Sequence, residues 1–280
     1  MTGQRTHRYL RLSLVGVVFA LAVAVTVETV RTGVLLPSIS DYYYSPAGGV
    51  FSAALAATAV ALLALSGRDL ESVLLDVAAI FAPLIAIVPT GFRLEPVVPD
   101  AVMPTVLNGV ATYLVVLGAV LALAIVLTVR GQIPWRRTVA IGSVALVVGV
   151  GLAVLAFAPG LREQFPFAGG VNVHLAVTVC FFSVFAAIPI VNALPRTRDP
   201  AAPRPSRAVR VVYFVIPVAM VIDLLLTVII GIRMPHTPAV FIGEAIALGL
   251  FAVFWAVQTV ERWEAADPPS LVAGQIRPDR

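Results

Sequence analysis

The sequence predicts an all-α fold, a polytopic transmembrane helical bundle of eight spans with both termini in the cytoplasm. Three observations lead to this prediction. Charged residues make up 12% and hydrophobic residues 60% of the 280 residues, whereas a soluble globular domain carries roughly 25% charged residues. Eight apolar runs divide the chain, and arginines concentrate in alternate loops between those runs.

Each apolar run is a candidate membrane span. A helix crosses a bilayer with about 20 apolar residues, and we expect helices near residues 10–35, 50–65, 72–90, 104–129, 138–158, 171–194, 209–232 and 238–260. The first run is long for a signal peptide and lacks a small-x-small cleavage site, so we expect it to be retained. Residues 1–264 would form one transmembrane domain containing a proline- and arginine-rich cytoplasmic linker at 195–207. Residues 265–280 are expected to be a disordered cytoplasmic tail.

The arginine distribution sets the predicted orientation. The two ends of the chain and the loops after even-numbered helices hold 15 arginines, and the other loops hold 4. Arginine-rich loops stay in the cytoplasm, so both termini are predicted to lie inside. Orientation in a bilayer also accounts for the net charge of +4, and no nucleic-acid partner is predicted, although a basic soluble protein would suggest one.

With this orientation, polar residues within the spans collect in the outer half of the membrane. Ionisable side chains at that depth are costly and are functional candidates by default. Asp76 is the exception on the cytoplasmic side. The outer loops add the polar and aromatic segment LPSISDYYYSPAGGV at residues 36–50. The polar residues predicted in the outer halves of helices are Glu28, Asn108, His174, Asp223 and Glu244.

Two interpretations of these residues remain open, and they are compatible. In the first, the buried acids pair with Arg31, Arg93 and Arg233 and lock helices together, while the tyrosines form an interfacial belt. In the second, the polar residues line a pocket open to the outer face that binds a lipid headgroup or a small polar ligand. The residues that would bind this ligand are Glu28, Ser38, Ser40, Asp41, Tyr42, Tyr43, Arg93, Asn108, His174, Asp223, Arg233 and Glu244.

Residue types for catalysis are present without a recognisable motif. Hydrolytic zinc sites use three protein ligands and a water, and the candidates are His174, His236 and Asp41, without an H-E-x-x-H pair. Ser38 or Ser40 could act with His174 and Asp41, but neither serine sits in a G-x-S-x-G turn. No phosphate-binding glycine motif occurs, so no cofactor is predicted. A single cysteine also excludes an internal disulfide.

Two motifs support a family resemblance. The run SISDYYYSP (residues 38–46) is followed by an apolar helix, an SGRD loop (66–69) and a helix closing on VPTGF (88–92). This order resembles a group of prokaryotic multi-spanning proteins of unknown function with an S-I-S-x-Y-Y-Y motif. The group is distantly similar to the Frag1/DRAM/Sfk1-type membrane proteins. His174 and Glu244 also match positions where the group tends to carry histidine and glutamate. The resemblance implies a helical bundle with an outer polar site in a prokaryotic plasma membrane.

Three functional hypotheses follow. The preferred one is a binding or accessory protein without catalytic activity, whose partners are membrane lipids or a small polar ligand. The first alternative is a membrane-embedded, metal-dependent lipid hydrolase. The second is a transporter coupled to protons through Asp223 and Glu244, since buried carboxylates relay protons. The sequence does not indicate an oligomeric state.

Overall fold

Eight long helices form the fold in the computed structural model, which describes residues 2–67, 69–92, 97–167, 172–194, 204–234 and 237–263, with side chains from residue 6. All eight are long and apolar enough to cross a membrane, and no strand occurs in these ranges. This confirms the predicted all-α, eight-span fold class. The helices are α1 (Thr2–Thr32), α2 (Gly48–Leu65), α3 (Leu70–Ile87), α4 (Met103–Val129), α5 (Trp135–Phe157), α6 (Val173–Ala193), α7 (Arg207–Arg233) and α8 (Ala239–Glu261).

Six of the helices close into a ring. α1 packs on α2, α2 on α3, α3 on α6, α6 on α7, α7 on α8, and α8 returns to α1. The chain therefore leaves the ring after α3 and re-enters it at α6. A cluster of aromatic rings joins α6 to α8, with Phe185 packed 4.7 Å from Phe251 and 5.4 Å from Phe254 between ring centroids.

The α4–α5 hairpin lies outside this ring and packs against α3. The Tyr113 hydroxyl donates to the Ile80 carbonyl oxygen at 2.9 Å. Near the α4–α5 turn, the Arg137 guanidinium pairs with Asp76 and donates to the Gly67 carbonyl. The hairpin is thus fixed to α3 at two levels. The partly buried Asp76 carboxylate therefore has a paired charge.

The two chain ends meet on one side of the bundle. The Arg8 guanidinium lies over the Trp263 ring, 4.7 Å from its centroid. We call this end of the bundle the terminus side. A short 3₁₀ helix, η1 (Ser40–Tyr44), lies between α1 and α2 at the opposite end, which we call the η1 side. The linker residues 195–203 and the tail residues 265–280 lie outside the described ranges.

Outward-facing positions carry large apolar side chains, as a bilayer requires. On α7, for example, Val218, Leu225 and Ile229 are each more than half exposed in the isolated chain. A soluble protein rarely exposes apolar patches of this extent. Surrounding lipid would cover them in a membrane-spanning bundle, so the side-chain pattern agrees with the eight candidate spans.

Candidate functional site

The η1 segment, residues 37–45, closes one end of the helix ring. Its local fold depends on Ser38, whose hydroxyl accepts from the Asp41 backbone N–H at 2.9 Å and donates to the Asp41 carboxylate at 3.2 Å. Serine and aspartate favour such local turns because their short side chains reach nearby backbone groups. Both residues are buried. The segment then passes directly above Gly48, where a side chain would overlap the Tyr43 carbonyl group.

Glu244 on α8 holds the η1 segment from below. Its Oε2 accepts from the backbone N–H of Ile39 at 2.5 Å and of Ser40 at 3.2 Å. Its Oε1 contacts the Ser40 hydroxyl oxygen at 2.7 Å. The Phe241 N–H in the first turn of α8 donates to the Pro37 carbonyl at 3.0 Å, which satisfies one of the N–H groups that a helix start leaves free. Four hydrogen bonds therefore join α8 to this segment.

His174 adds a second anchor from the first turn of α6. Its Nδ1 lies 2.7 Å from the Val88 carbonyl oxygen, just beyond the end of α3. Its Nε2 lies 3.0 Å from the Ser40 hydroxyl oxygen. The imidazole is 4% exposed. Ser40 therefore lies between Glu244 and His174, and the three side chains connect α8, η1 and α6.

The tyrosines of the segment bind α1 and the stretch that follows α3. The Tyr42 hydroxyl is hydrogen-bonded to Thr29 on α1, and Tyr42 is fully buried. The Tyr44 hydroxyl donates to the Thr90 carbonyl at 2.5 Å. Burial raises the pKa of the Tyr43 and Tyr44 phenols, so both hydroxyls stay protonated at physiological pH.

An apolar cavity lies beneath the segment, at the centre of the ring. Its volume is about 60 Å³, and it is partly open to the outside. Ile39, Ser40 and Glu244 form its wall at the η1 side, and Thr58 and Thr178 add two hydroxyls lower down. The remaining lining is apolar and comes from Val17, Val18, Leu21, Phe51, Ala54, Leu55, Ile85, Phe181, Phe182, Leu248 and Phe251. We call this space the central cavity.

A second, more polar pocket lies on the other face of the η1 segment. Its volume is about 260 Å³, and it is also partly open. Glu28 lies at its edge and forms an ion pair with Arg31 at 2.7 Å on the same helix. Phe92 lines the pocket and packs edge-on to Tyr44 at 5.3 Å. We call this space the polar pocket; it is lined by Glu28, Thr32, Val34, Leu36, Asp41, Tyr42, Tyr44, Ser45 and Phe92.

The structure brings together many of the predicted site residues and separates others. Ser38, Ser40, Asp41, Tyr42 and Tyr43 share the η1 segment. His174 and Glu244 bond to it, and Glu28 lines the polar pocket.

The other predicted residues lie elsewhere. Asn108 is exposed on α4, outside the ring, and Arg233 is exposed at the end of α7. Asp223 is half-buried in a separate cavity of about 160 Å³ between α6, α7 and α8, and Glu244 also lines this cavity. Arg93 and His236 lie outside the described residues.

The arrangement bears on the metal and serine candidates. Both ring nitrogens of His174 are within hydrogen-bonding distance of other groups. Among the described residues, no group of three or more histidine, cysteine, aspartate or glutamate side chains is placed to hold a metal ion. The Ser40 hydroxyl contacts His174, whereas Asp41 bonds Ser38. Ser40, His174 and Asp41 are therefore not joined by one continuous series of hydrogen bonds.

A polar network on the terminus side was not anticipated from the sequence. Glu71 on α3 accepts from the Gln258 amide at 2.7 Å and from the Arg262 guanidinium at 3.0 Å. Arg262 also donates to the Asn192 side chain. All four residues are buried. The sequence contained one signal, since Glu71 begins an apolar run, but such a position also suits a solvated helix end.

No protein-family profile, functionally described protein or solved structure shows a significant match to the chain.

Proposed function

We propose that this protein binds a membrane lipid or a similar amphiphile, with the apolar chain in the central cavity and the polar head near the η1 segment. One observation carries the proposal. The central cavity combines apolar walls with a single carboxyl group, Glu244, and the Ser40 hydroxyl at one end. An amphiphile has the same division between an apolar body and one polar end.

The lining of the central cavity supports this assignment. Ligand pockets typically place a few polar groups in an apolar lining. Away from Ser40 and Glu244 most of the wall is apolar, and Leu21, Phe51 and Phe251 present hydrocarbon surface to the space. A hydrocarbon chain would bury this surface, and the associated gain is about 25 cal/mol per Å².

The polar pocket is the proposed place for the head. It shares the η1 segment as a wall with the central cavity, since Ser40 faces the cavity while Asp41 and Tyr42 line the pocket. Carboxylates and phenol hydroxyls provide hydrogen-bond partners for a polar head. Glu28 at its edge is already paired with Arg31, so the charge of this carboxylate is compensated from outside the pocket lining.

The proposed setting is the plasma membrane of a prokaryote, with the η1 side outward and the terminus side in the cytoplasm. The support is the count of 15 arginines against 4 in alternate loops. In this orientation the ligand would enter from the outer face or the outer leaflet. We propose a binding or accessory role rather than catalysis, because His174 and Glu244 are both engaged with Ser40 and the backbone.

The transporter hypothesis has one supporting observation. Asp223 and Glu244 line the same cavity between α6, α7 and α8, so two carboxyl groups border one space. A relay would also need acids leading to the terminus side. There Glu71 is bonded to Arg262, and Asp76 is paired with Arg137. The lipid-hydrolase hypothesis would need His174 to exchange one of its two hydrogen bonds for a metal ion.

Filling the central cavity tests the proposal. Ala54→Phe places a ring in the cavity, whereas Ala57→Phe on the same helix places an identical ring on the exposed surface. Both variants would be incubated in vesicles with a phospholipid whose acyl chain carries a photoactivatable diazirine. We expect cross-links to the cavity-lining residues of α2 in the wild type and in Ala57→Phe, and about tenfold fewer to those residues in Ala54→Phe, a change equivalent to about 1.4 kcal/mol.

Two controls make the result interpretable. The thermal midpoint of each variant shows whether the bundle is intact. Mapping the cross-linked residues separates the cavity from the lipid-facing surface, because Ala54 lines the cavity and Val60 is exposed. Equal cross-linking of cavity residues in both variants, or cross-links confined to exposed positions, would show that the cavity does not hold an acyl chain.

A further inference from the structure

Three consecutive hydrogen bonds join Glu244 to Ser40, Ser40 to His174, and His174 to the Val88 carbonyl. Each of these bonds needs one hydrogen, so the number of protons that the three groups hold can be counted. The Val88 carbonyl has no hydrogen to donate, so the 2.7 Å contact requires an N–H on Nδ1 of His174. A neutral imidazole carries a single N–H, which leaves Nε2 as an acceptor. The Ser40 hydroxyl must then donate to Nε2 across 3.0 Å.

The remaining contact needs one more hydrogen. The Ser40 oxygen has only one hydrogen, which His174 already accepts. Its 2.7 Å contact with Oε1 of Glu244 therefore requires a protonated carboxyl group. The other complete arrangement has an imidazolium donating from both nitrogens, with Ser40 donating to a carboxylate. Both arrangements hold one proton more than a carboxylate beside a neutral imidazole.

Loss of that proton breaks one of the three contacts. Whichever tautomer the imidazole adopts, two lone pairs then face each other at Ser40–Glu244, Ser40–His174 or His174–Val88. The two backbone bonds to Oε2 are unaffected, because Oε2 accepts in every arrangement. A buried polar contact without a hydrogen is unfavourable, so the η1 segment becomes less firmly attached.

We infer that Glu244, Ser40 and His174 form a binding site for one exchangeable proton, and that this proton fastens the η1 segment over the central cavity. The inference goes beyond the proposed function, since it requires no lipid. The folded bundle binds this proton and the unfolded chain above neutral pH does not. Stability therefore decreases as pH rises through the range in which the proton is lost.

Few other titratable groups in the described part of the chain surround the site. Asp41 neighbours Ser40 on η1, Asp223 on α7 lines a cavity with Glu244, and Glu28 on α1 is paired with Arg31. α2 carries no titratable residue, and those of α3, Glu71 and Asp76, lie on the terminus side. Asp223 is the natural control, because it is a carboxyl group near Glu244 that takes no part in these three hydrogen bonds.

Glu244→Gln is the decisive variant. Its amide oxygen accepts from the Ile39 and Ser40 N–H groups, and its NH₂ group donates to the Ser40 oxygen, so every contact is kept without an exchangeable proton. Thermal midpoints in mild detergent would be measured from about pH 7 to about pH 9, where ordinary carboxyl and imidazole groups are deprotonated. We expect the wild-type midpoint to fall by about 2–4 °C. Glu244→Gln should stay level, and Asp223→Asn should fall like the wild type.

A second variant keeps the test valid if Glu244→Gln fails to fold. Ser40→Ala removes the hydroxyl that joins the carboxyl group to the imidazole. Without this hydroxyl, no hydrogen bond between Glu244 and His174 requires the extra proton. The thermal midpoint of Ser40→Ala should therefore also be independent of pH over this range. A level wild-type profile, or a pH dependence retained in the variant that folds, would overturn the inference. A level profile in Asp223→Asn would assign the proton to a different carboxyl group and would overturn it too.

Discussion

Replacing Glu244 with alanine should detach the η1 segment from α8. The carboxylate accepts from the backbone N–H groups of Ile39 and Ser40 and contacts the Ser40 hydroxyl. Ser40 retains His174 as a partner, but the two N–H groups lose theirs. Each buried donor left without a partner costs about 1–3 kcal/mol, so the variant should lose about 2–6 kcal/mol of unfolding free energy.

The assay is equilibrium unfolding in mixed micelles, followed by tryptophan fluorescence, since Trp255 is buried on α8. Glu244→Gln is the matched control, because its amide oxygen replaces the carboxylate as acceptor and the loss should stay below about 1 kcal/mol. A loss below about 1 kcal/mol in Glu244→Ala would refute the reasoning. It would mean that water or a side-chain rearrangement satisfies the two N–H groups.

Two further predictions concern the packing beneath η1 and the network on the terminus side. Gly48→Ala should cost about 1–3 kcal/mol, because the added methyl group overlaps the Tyr43 carbonyl. Gly49→Ala meets no atom within 4 Å and should be neutral or slightly stabilising in the same unfolding assay. Glu71→Ala should cost about 3–5 kcal/mol by leaving Arg262 buried without its carboxylate. Glu71→Gln removes the same charge and keeps only an acceptor oxygen, so it should lose most of the same free energy, and a loss below about 1 kcal/mol in Glu71→Gln would contradict the charge argument.

The number of spans could be predicted from the sequence because hydropathy alone defines it. Each of the eight helices is apolar along its length, and a bilayer leaves few alternatives to a helix for such a segment. The grouping of Ser40, His174 and Glu244 was partly predictable too. Their depth on one side followed from helix direction and the arginine-rich loops. The depth of a residue along the membrane normal depends on its position within its apolar run, and the sequence gives that position directly.

Lateral arrangement is different, and here the sequence was less informative. Asn108 and His174 have comparable predicted depths, yet Asn108 is exposed on α4 while His174 is buried against η1. The reason is that the α4–α5 hairpin packs outside the ring. Both helices are apolar on every side, so no amphipathic face shows which helix borders the cavity and which faces lipid.

The terminus-side network could not be predicted either, because it depends on which helices are adjacent. Glu71 and Arg262 are separated by most of the chain and lie at the ends of apolar runs, where charged residues are usually solvated. Their burial becomes evident only once α3, α6 and α8 are adjacent.

The network fastens these helices at the end opposite η1 with a buried ion pair. At the η1 side, Glu244 and His174 fasten the same two helices, α8 and α6, through Ser40. The attachment that depends on an exchangeable proton is therefore the one next to the central cavity, so a change in pH would loosen the η1 side while the ion pair holds the terminus side together.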